Sequence, residues 1–389
     1  IEKLLEHYDE LSDHIKVETK DPDLYPKFTS QYTDQTVAAN SVIVVCGDKS
    51  KVVSNSDMWE TSTNYQTYQT QTTGFDGEGQ ITSAITYVTS ENNPKVYWVT
   101  GHGEASESDL STNFSDAINK NNVEISDLAL MTDDIPEDAE ELVIMSPTTD
   151  FSEDEANKVI TYLENGGKLL MFTSYTGTDM PNLDSILENY GVKRSSGIVV
   201  ETDSQHYYPQ MPYYLLPNIQ SDDITTEVKS NYILMPVAQA IQKLDSYRDT
   251  ITIKSLLTTT EDAYIENDPE NSTWSKSADS ETGAFDLGVS ITETVDDKET
   301  QIIYFSSASM LSSQIDQAIS GANSKLAATA LTSMCDVEQT VVIPSKSTSY
   351  TNLVFTQGAV NTWSIITIAG IPLVLVVIGV MIWMKRRKQ

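Results

Sequence analysis

Positive charge is scarce in this sequence: 24 lysines and arginines stand against 57 aspartates and glutamates, a formal net charge of −33. A protein that grips a phosphate backbone needs a basic face, so nucleic acid is excluded as a partner. An acidic exterior of this kind reads as a solvated surface. Cysteine is rarer still. Cys46 and Cys335 are the only two, and they form no CxxC, no metal-ligand spacing and no disulfide framework. Each ends an apolar run, SVIVVC and LAATALTSMC, and each is expected to be a small buried hydrophobe. Histidine occurs only at positions 7, 14, 102 and 206, too few and too scattered for metal ligation, so neither a metal nor a cofactor is expected.

What is present begins at the far end. From Trp363 to Met384 the chain reads WSIITIAGIPLVLVVIGVMIWM without one charged residue. At 1.5 Å per residue this is enough to cross a hydrocarbon core about 30 Å thick. Trp363 and Trp383 sit where interfacial indoles are favoured. Pro372 is tolerable as a kink in a membrane helix but damaging in a soluble one. Lys385, Arg386, Arg387 and Lys388 follow at once, and the positive-inside rule places that tail in the cytoplasm, against the lipid bilayer. The bulk of the chain is then extracytoplasmic, carried on a single C-terminal anchor in a cell membrane. The sequence opens at Ile1 within an apparent helix, IEKLLEHYDEL, and a further membrane helix or signal is expected to lie ahead of it.

The 389 residues suffice for two or three domains. Residues 1–90 read as a small α/β unit: a helix, the strand HIKVET, then a hairpin SVIVVCGDKSKVVS turning at Gly47-Asp48. That order is the one a truncated thioredoxin-like fold without its redox motif would have. The Thr/Gln/Tyr-rich stretch Thr61–Gly74 reads as a loop, and so does GFDGEGQ, whose glycines lack the lysine and preceding strand of a phosphate loop. Residues 95–336 then alternate strands and helices. Ser152 and Glu155 form a capping box before the apolar stripe Ala156, Val159, Ile160 and Leu163, and Gly166-Gly167 stops that helix before the strand KLLMFTS. Such alternation predicts an α/β fold with a doubly wound, mostly parallel sheet. Residues 337–362 read as an extended stalk, 363–384 as the transmembrane helix and 385–389 as a basic tail.

Ligands gather at the carboxyl ends of strands in such sheets. Three turns belong there: Gly101–Glu104 (GHGE), Ser146–Asp150 and Ser174–Gly177. Gly101, His102, Gly103, Glu104, Ser146 and Ser174 are therefore the candidate site. GHGE reads as a tight structural turn, as a site for a small polar ligand or partner, or as the acid–base pair of a hydrolase. None of the three turns carries a G-x-S-x-G or G-x-C-x-G elbow to strain a nucleophile into place. The six carboxylates between Asp133 and Glu141 lack the spacing of a calcium loop and read as solvated. HYYPQMPYYLLP, residues 206–217, offers Tyr207, Tyr208, Tyr213 and Tyr214 in a loop-like setting, either as a binding platform or as a cover for the core beneath. Asn113 and Asn271 match the glycan acceptor pattern.

The runs GEGQITSAITYVTSENNPKVYWVTGHGE and ELVIMSPTTDFSEDEANKVITYLENGGKLLMF, with the final helix and its arginines, resemble the auxiliary component of bacterial ABC transporters first associated with gliding motility. The segment VETKDPDLYPKFTSQYT with NSVIVVCGDKSKVV is similar to that family's N-terminal part, so the resemblance spans nearly the whole chain. It implies a non-catalytic, membrane-anchored extracytoplasmic subunit working with an ABC-2 type permease and, through it, a cytosolic ATPase. It also implies a central domain like class I glutamine amidotransferases without their catalytic cysteine, a fold shared with an intraflagellar transport subunit. At Phe305–Ser313 the chain has FSSASMLSS where the family pattern carries Gly-Asp. Two other readings stand beside this one: a surface module binding carbohydrate or protein through the tyrosines, and a divergent amidotransferase-like hydrolase using His102 and Glu104.

Overall fold

The computed structural model describes residues 1–387 apart from 22, 23, 26, 34, 35, 65–68, 91, 92, 271, 272, 336–342, 344, 345 and 348–354. The chain divides into two compact units. The first comprises Ile1–Val96, Ser115–Ser126 and Cys335–Thr351, and the second Tyr97–Phe114, Asp127–Met334 and Asn352–Gln389.

The first unit opens with helix α1 (Glu2–Leu11), followed by the antiparallel hairpin β1 (Val42–Cys46) and β2 (Lys49–Val53). HIKVET, expected as a strand, has no regular structure. The Thr/Gln-rich stretch is not the loop its composition predicts. It supplies β3 (Trp59–Asn64) and β4 (Gln69–Phe75), an antiparallel pair. Threonine favours pleated backbone whether or not a core covers it, and that preference prevails here. Helix α2 (Gly77–Thr89) begins on the glycines themselves, so GEGQ is its first turn. Gly79 has to be a glycine: a Cβ there would lie 2.7 Å from the Asp76 carboxylate and 2.8 Å from the Ile343 carbonyl. Asp76 is buried, paired with Lys120 at 2.7 Å. Val53, Met58 and Ala84 form a small core. Cys46, expected to be buried, is exposed at the end of β1, because a two-stranded hairpin has too little cover to hide its turn. Cys335 is buried as expected.

Along the chain there follow β5 (Lys95–Val99), helix α3 (Thr112–Lys120), β6 (Glu124–Leu128), β7 (Glu141–Met145), α4 (Glu153–Glu164), β8 (Lys168–Phe172), α5 (Pro181–Asn189) and β9 (Val192–Val200). The boundary between the units runs through β5, α3 and β6. Next come β10 (Tyr207–Tyr208), β11 (Met211–Leu215), β12 (Asn218–Ile219), β13 (Met235–Pro236), β14 (Gln239–Lys243), β15 (Ile251–Thr258), β16 (Tyr264–Glu266), β17 (Asp286–Val295) and β18 (Lys298–Phe305). Helices α6 (Ser313–Ala318) and α7 (Ala322–Met334) follow. The main strand order is β16-β9-β14-β17-β18-β8-β7-β5-β6. The fold is thus mixed α/β, with β18, β8 and β7 parallel at its centre. From β18 outward the sheet continues antiparallel through β17, β14, β9 and β16, which the strand–helix alternation did not announce. For β17 and β18 the two-residue turn between Val295 and Lys298 sets the direction, since it leaves no length for a crossover helix.

The core explains the parallel centre. All five residues of β7 are buried, as a strand covered on both faces requires. Helices α4 and α5 cover one face with Ala156, Val159, Leu163, Leu183, Ile186 and Leu187. α4 has the capping box expected of it: Ser152 accepts from the Glu155 N–H while the Glu155 side chain accepts from the Ser152 N–H. Gly166, at φ +89°, ends that helix, and Gly167 leaves space for the Tyr162 ring.

After α7 most of the expected stalk lies outside the described residues. Within it, strand β19 (Lys346–Ser347) pairs with β4, and helix α8 (Gln357–Ile365) starts six residues before Trp363. A wider π-helical turn, Ile366–Gly370, joins it to α9 (Ile371–Arg387). Pro372 follows that turn. Its ring has no N–H to offer and clashes with a carbonyl one α-turn back, and the wider turn relieves both. The continuous helix Gln357–Arg387 is the one among the described residues long and apolar enough to cross a membrane.

Candidate functional site

The three turns expected at one end of the sheet follow β5, β7 and β8. The first two are knitted together: the Ala105 N–H donates to the Met145 carbonyl at 2.9 Å, and the Thr148 and Thr149 N–H groups donate to the His102 carbonyl at 2.9 and 3.1 Å. Gly101 and Gly103 have φ of +122° and +76°, conformations glycine adopts freely. A Cβ on Gly103 would also collide with the Thr148 hydroxyl. Gly103→Ala is therefore expected to cost about 1–3 kcal/mol of stability, the usual range for backbone forced into such a region, read as a lower urea midpoint at unchanged slope.

This turn drives the His102 side chain inward, where it is 4% exposed. The imidazole lies against the Phe151 ring, centroids 4.3 Å apart. Its Nδ1 is 3.2 Å from Glu104 Oε1, and its Nε2 is 3.2 Å from both oxygens of Glu155. Glu104 also accepts the His102 backbone N–H at 2.7 Å, which fixes the turn around its own side chain. Both ring nitrogens thus face carboxyl oxygens. Glu155 is the capping-box residue of α4, and its Oε2 accepts from the Ser152 N–H at 2.9 Å and hydroxyl at 2.7 Å. Burial opposes ionisation of Glu155. The Ser152 hydroxyl and N–H together with the His102 ring outweigh it and hold the carboxyl below its usual range.

The other two candidate side chains form a separate pair. Ser146 Oγ donates to Ser174 Oγ at 2.9 Å, linking the ends of β7 and β8. Ser146 has φ +55°, strained for a residue with a Cβ, so the backbone turns sharply here although no glycine-flanked elbow marks it. His102 has no ring nitrogen left to serve as a base toward Ser146, since both are occupied by glutamates. The late stretch FSSASMLSS is structural: Ser306 Oγ donates to the Leu287 carbonyl at 3.2 Å and Ser307 Oγ to that of Pro236 at 2.5 Å.

The tyrosine-rich stretch is a short hairpin of β10 and β11, not a loop, and β13 pairs beside it. Tyr207, Tyr208, Tyr213 and Tyr214 are half-buried. Tyr213 packs on Trp274 with centroids 4.4 Å apart. The amide nitrogen of Asn113, where a glycan would attach, donates to the buried Asp316 at 2.9 Å, and Asn271 lies outside the described residues. Among the described residues no group of three His, Cys, Asp or Glu side chains is arranged to hold a metal.

Sequence reasoning passed over Glu155 as a site residue because its capping role already accounted for it, and it passed over Trp274 for want of any local pattern. It also missed Lys51 of the first unit, which donates to the Asn119 carbonyl at 3.2 Å and to the Asn122 side chain, with the Tyr87 ring 5.1 Å away. Burial lowers its ammonium to about 8.

Of solved structures, the N-terminal domain of mmIFT52 is similar at 15% identity and a TM-score of 0.45, covering 62% of this chain and 96% of that one. An exo-β-1,4-mannosidase, Op5Man5 from Opitutaceae bacterium strain TAV5, is similar at 10% identity and a TM-score of 0.32, covering 65% of this chain and 37% of its own. A ThuA-like protein from Parabacteroides merdae is similar at 12% identity and a TM-score of 0.35, covering 68% and 99%. No curated protein matches the chain. The family model described as ABC-type uncharacterized transport system matches residues 93–333, from the start of β5 nearly to the end of α7. The chain belongs to that family, an auxiliary component of an ABC-type transport system.

Proposed function

We propose that the chain is a non-catalytic accessory subunit held in the membrane by its last helix, with the sheet domain outside and a permease of the ABC-2 type as its partner. The helix Gln357–Arg387 carries this reading, since it is apolar throughout its central part and ends on Lys385, Arg386 and Arg387. Basic residues at one end of a span are retained on the cytoplasmic side, which leaves the acidic domain on the other. An auxiliary role agrees with the GHGE turn, where the imidazole is saturated by Glu104 and Glu155 and serves to join β5, β7 and α4. The turn then acts as an internal rivet, and ligand or partner contact falls to other surfaces.

The test is recovery of the native complex. Affinity capture of the full chain from gently solubilised membranes is expected to bring down a polytopic permease and its ATPase in fixed proportion. Recovery of the chain alone, under detergent conditions that keep other transporters assembled, overturns the proposal.

A further inference from the structure

The tyrosine hairpin and the start of the membrane helix meet. The Gly358 N–H donates to the Ser204 carbonyl at 2.7 Å, the Gln210 N–H donates to Gln357 Oε1 at 2.9 Å, and the Thr356 hydroxyl donates to Gln205 Oε1 at 3.0 Å. The start of the helix lies against the end of the Gln205 side chain, which a Cβ on Gly358 would meet. Thr356 caps the helix by accepting the Ala359 N–H at 3.1 Å. Trp363 begins the apolar span six residues after Gln357, about 9 Å along an α-helix. The hairpin is therefore tied to the helix about 9 Å from the point where that span begins.

Its composition fits that plane. In a chain with net charge −33, no Asp, Glu, Lys or Arg occurs from Ser204 to Pro217 or from Ser347 to Met384. Both segments at the junction are thus free of the charge that anionic headgroups would repel. Met211 and Phe355 are 38% and 47% exposed, one beside Gln210 and the other two residues ahead of Gln357. Tyrosine, with an apolar ring and a polar tip, is the side chain that headgroup level favours. We infer that the β10–β11 hairpin rests in the outer headgroup layer of the bilayer, so that the sheet domain touches the membrane at a second place besides its helix. The inference rests on the anchoring reading above and adds to it a lipid-facing surface.

Depth measurement in lipid vesicles without any permease tests it. In full-length protein with Cys46→Ser and Cys335→Ser, an environment-sensitive fluorophore is placed at Met211→Cys, and separately at Phe355→Cys. Val376→Cys in the span and Met131→Cys, at a residue 71% exposed on the sheet domain, serve as references. In phosphatidylcholine–phosphatidylglycerol vesicles, both junction labels are expected to shift to the blue, lose most iodide quenching and respond to headgroup-level spin-labelled lipid. Met131 is expected to do none of these. The inference is overturned if either junction label behaves like Met131 while the Val376 label is quenched by acyl-chain spin label. If the Val376 label is not quenched either, the anchoring reading falls, and this inference with it.

Discussion

Replacing His102 by alanine is expected to cost the sheet domain about 2–6 kcal/mol of unfolding free energy, because it leaves two buried carboxyl groups each short of a partner, at about 1–3 kcal/mol apiece. The Glu104 and Glu155 side chains are 2% and 4% exposed, so neither can turn to water when the imidazole goes. Two carboxylates would then share a space that also loses the packing of the ring on Phe151. Urea unfolding of the full chain in detergent measures the loss. Trp98 is a suitable reporter, being buried with its indole N–H donating to the Ala105 carbonyl at 2.9 Å, one residue beyond Glu104. The same cluster sets an acid limit. Because the folded state lowers the Glu155 pKa, its contribution is present above the unfolded carboxyl value of about 4.3 and is lost as pH falls through the folded value. The wild-type stability profile should therefore decline below about pH 4. That limb should be shallower in His102→Gln, which removes the imidazole's share and leaves Ser152's. An alanine variant as stable as wild type would mean the cluster is incidental to the fold.

The second large effect lies at the helical side of the domain. Asp316 is fully buried and accepts from four donors: Ser111 Oγ at 2.7 Å, Asn113 Nδ2 at 2.9 Å, and Ser324 N and Oγ at 2.9 and 2.7 Å. It ties α6 to the start of α7 and to the residues that open α3. Asp316→Ala strands all four donors, and an unsatisfied buried donor costs about 1–3 kcal/mol, so a total of about 4 kcal/mol or more is expected. Asp316→Asn keeps one acceptor oxygen and the same shape, and should lose about half as much. Urea midpoints of the two variants, compared at equal slope, decide the matter. Equal losses for Asn and Ala would show that charge rather than hydrogen-bond count governs the site.

The helices and strands of the domain core were legible because their signals are local. The Ser152–Glu155 box, the stripe through Ala156, Val159 and Leu163, and the glycine stop before β8 lie within about twenty residues of one another. β3 and β4 escaped because Thr/Gln strands show no alternation of apolar and polar residues, and Cys46 was misjudged because an apolar run does not say how much structure covers it. The antiparallel half of the sheet was invisible for a related reason: a buried strand reads alike in either direction. At the candidate site, GHGE was recognisable as a turn at a strand end, and its residues lie where that reading put them. Its chemistry was not recognisable, because the partner that saturates His102 Nε2 is 53 residues away.

The π-turn in the last helix has a bearing on how any neighbouring helix would meet it. A turn of that kind inserts one residue beyond the α-helical count, and each residue of an α-helix corresponds to about 100° of rotation. Trp363 and Gly370, seven positions apart, would share one side of an uninterrupted α-helix, whereas the Ile366–Gly370 turn offsets them by about 100°. The stripes before and after the turn are therefore out of phase. A transmembrane segment packed along α8 leaves that face on reaching α9, and heptad counting carried across residues 366–370 would assign the wrong side chains to the contact.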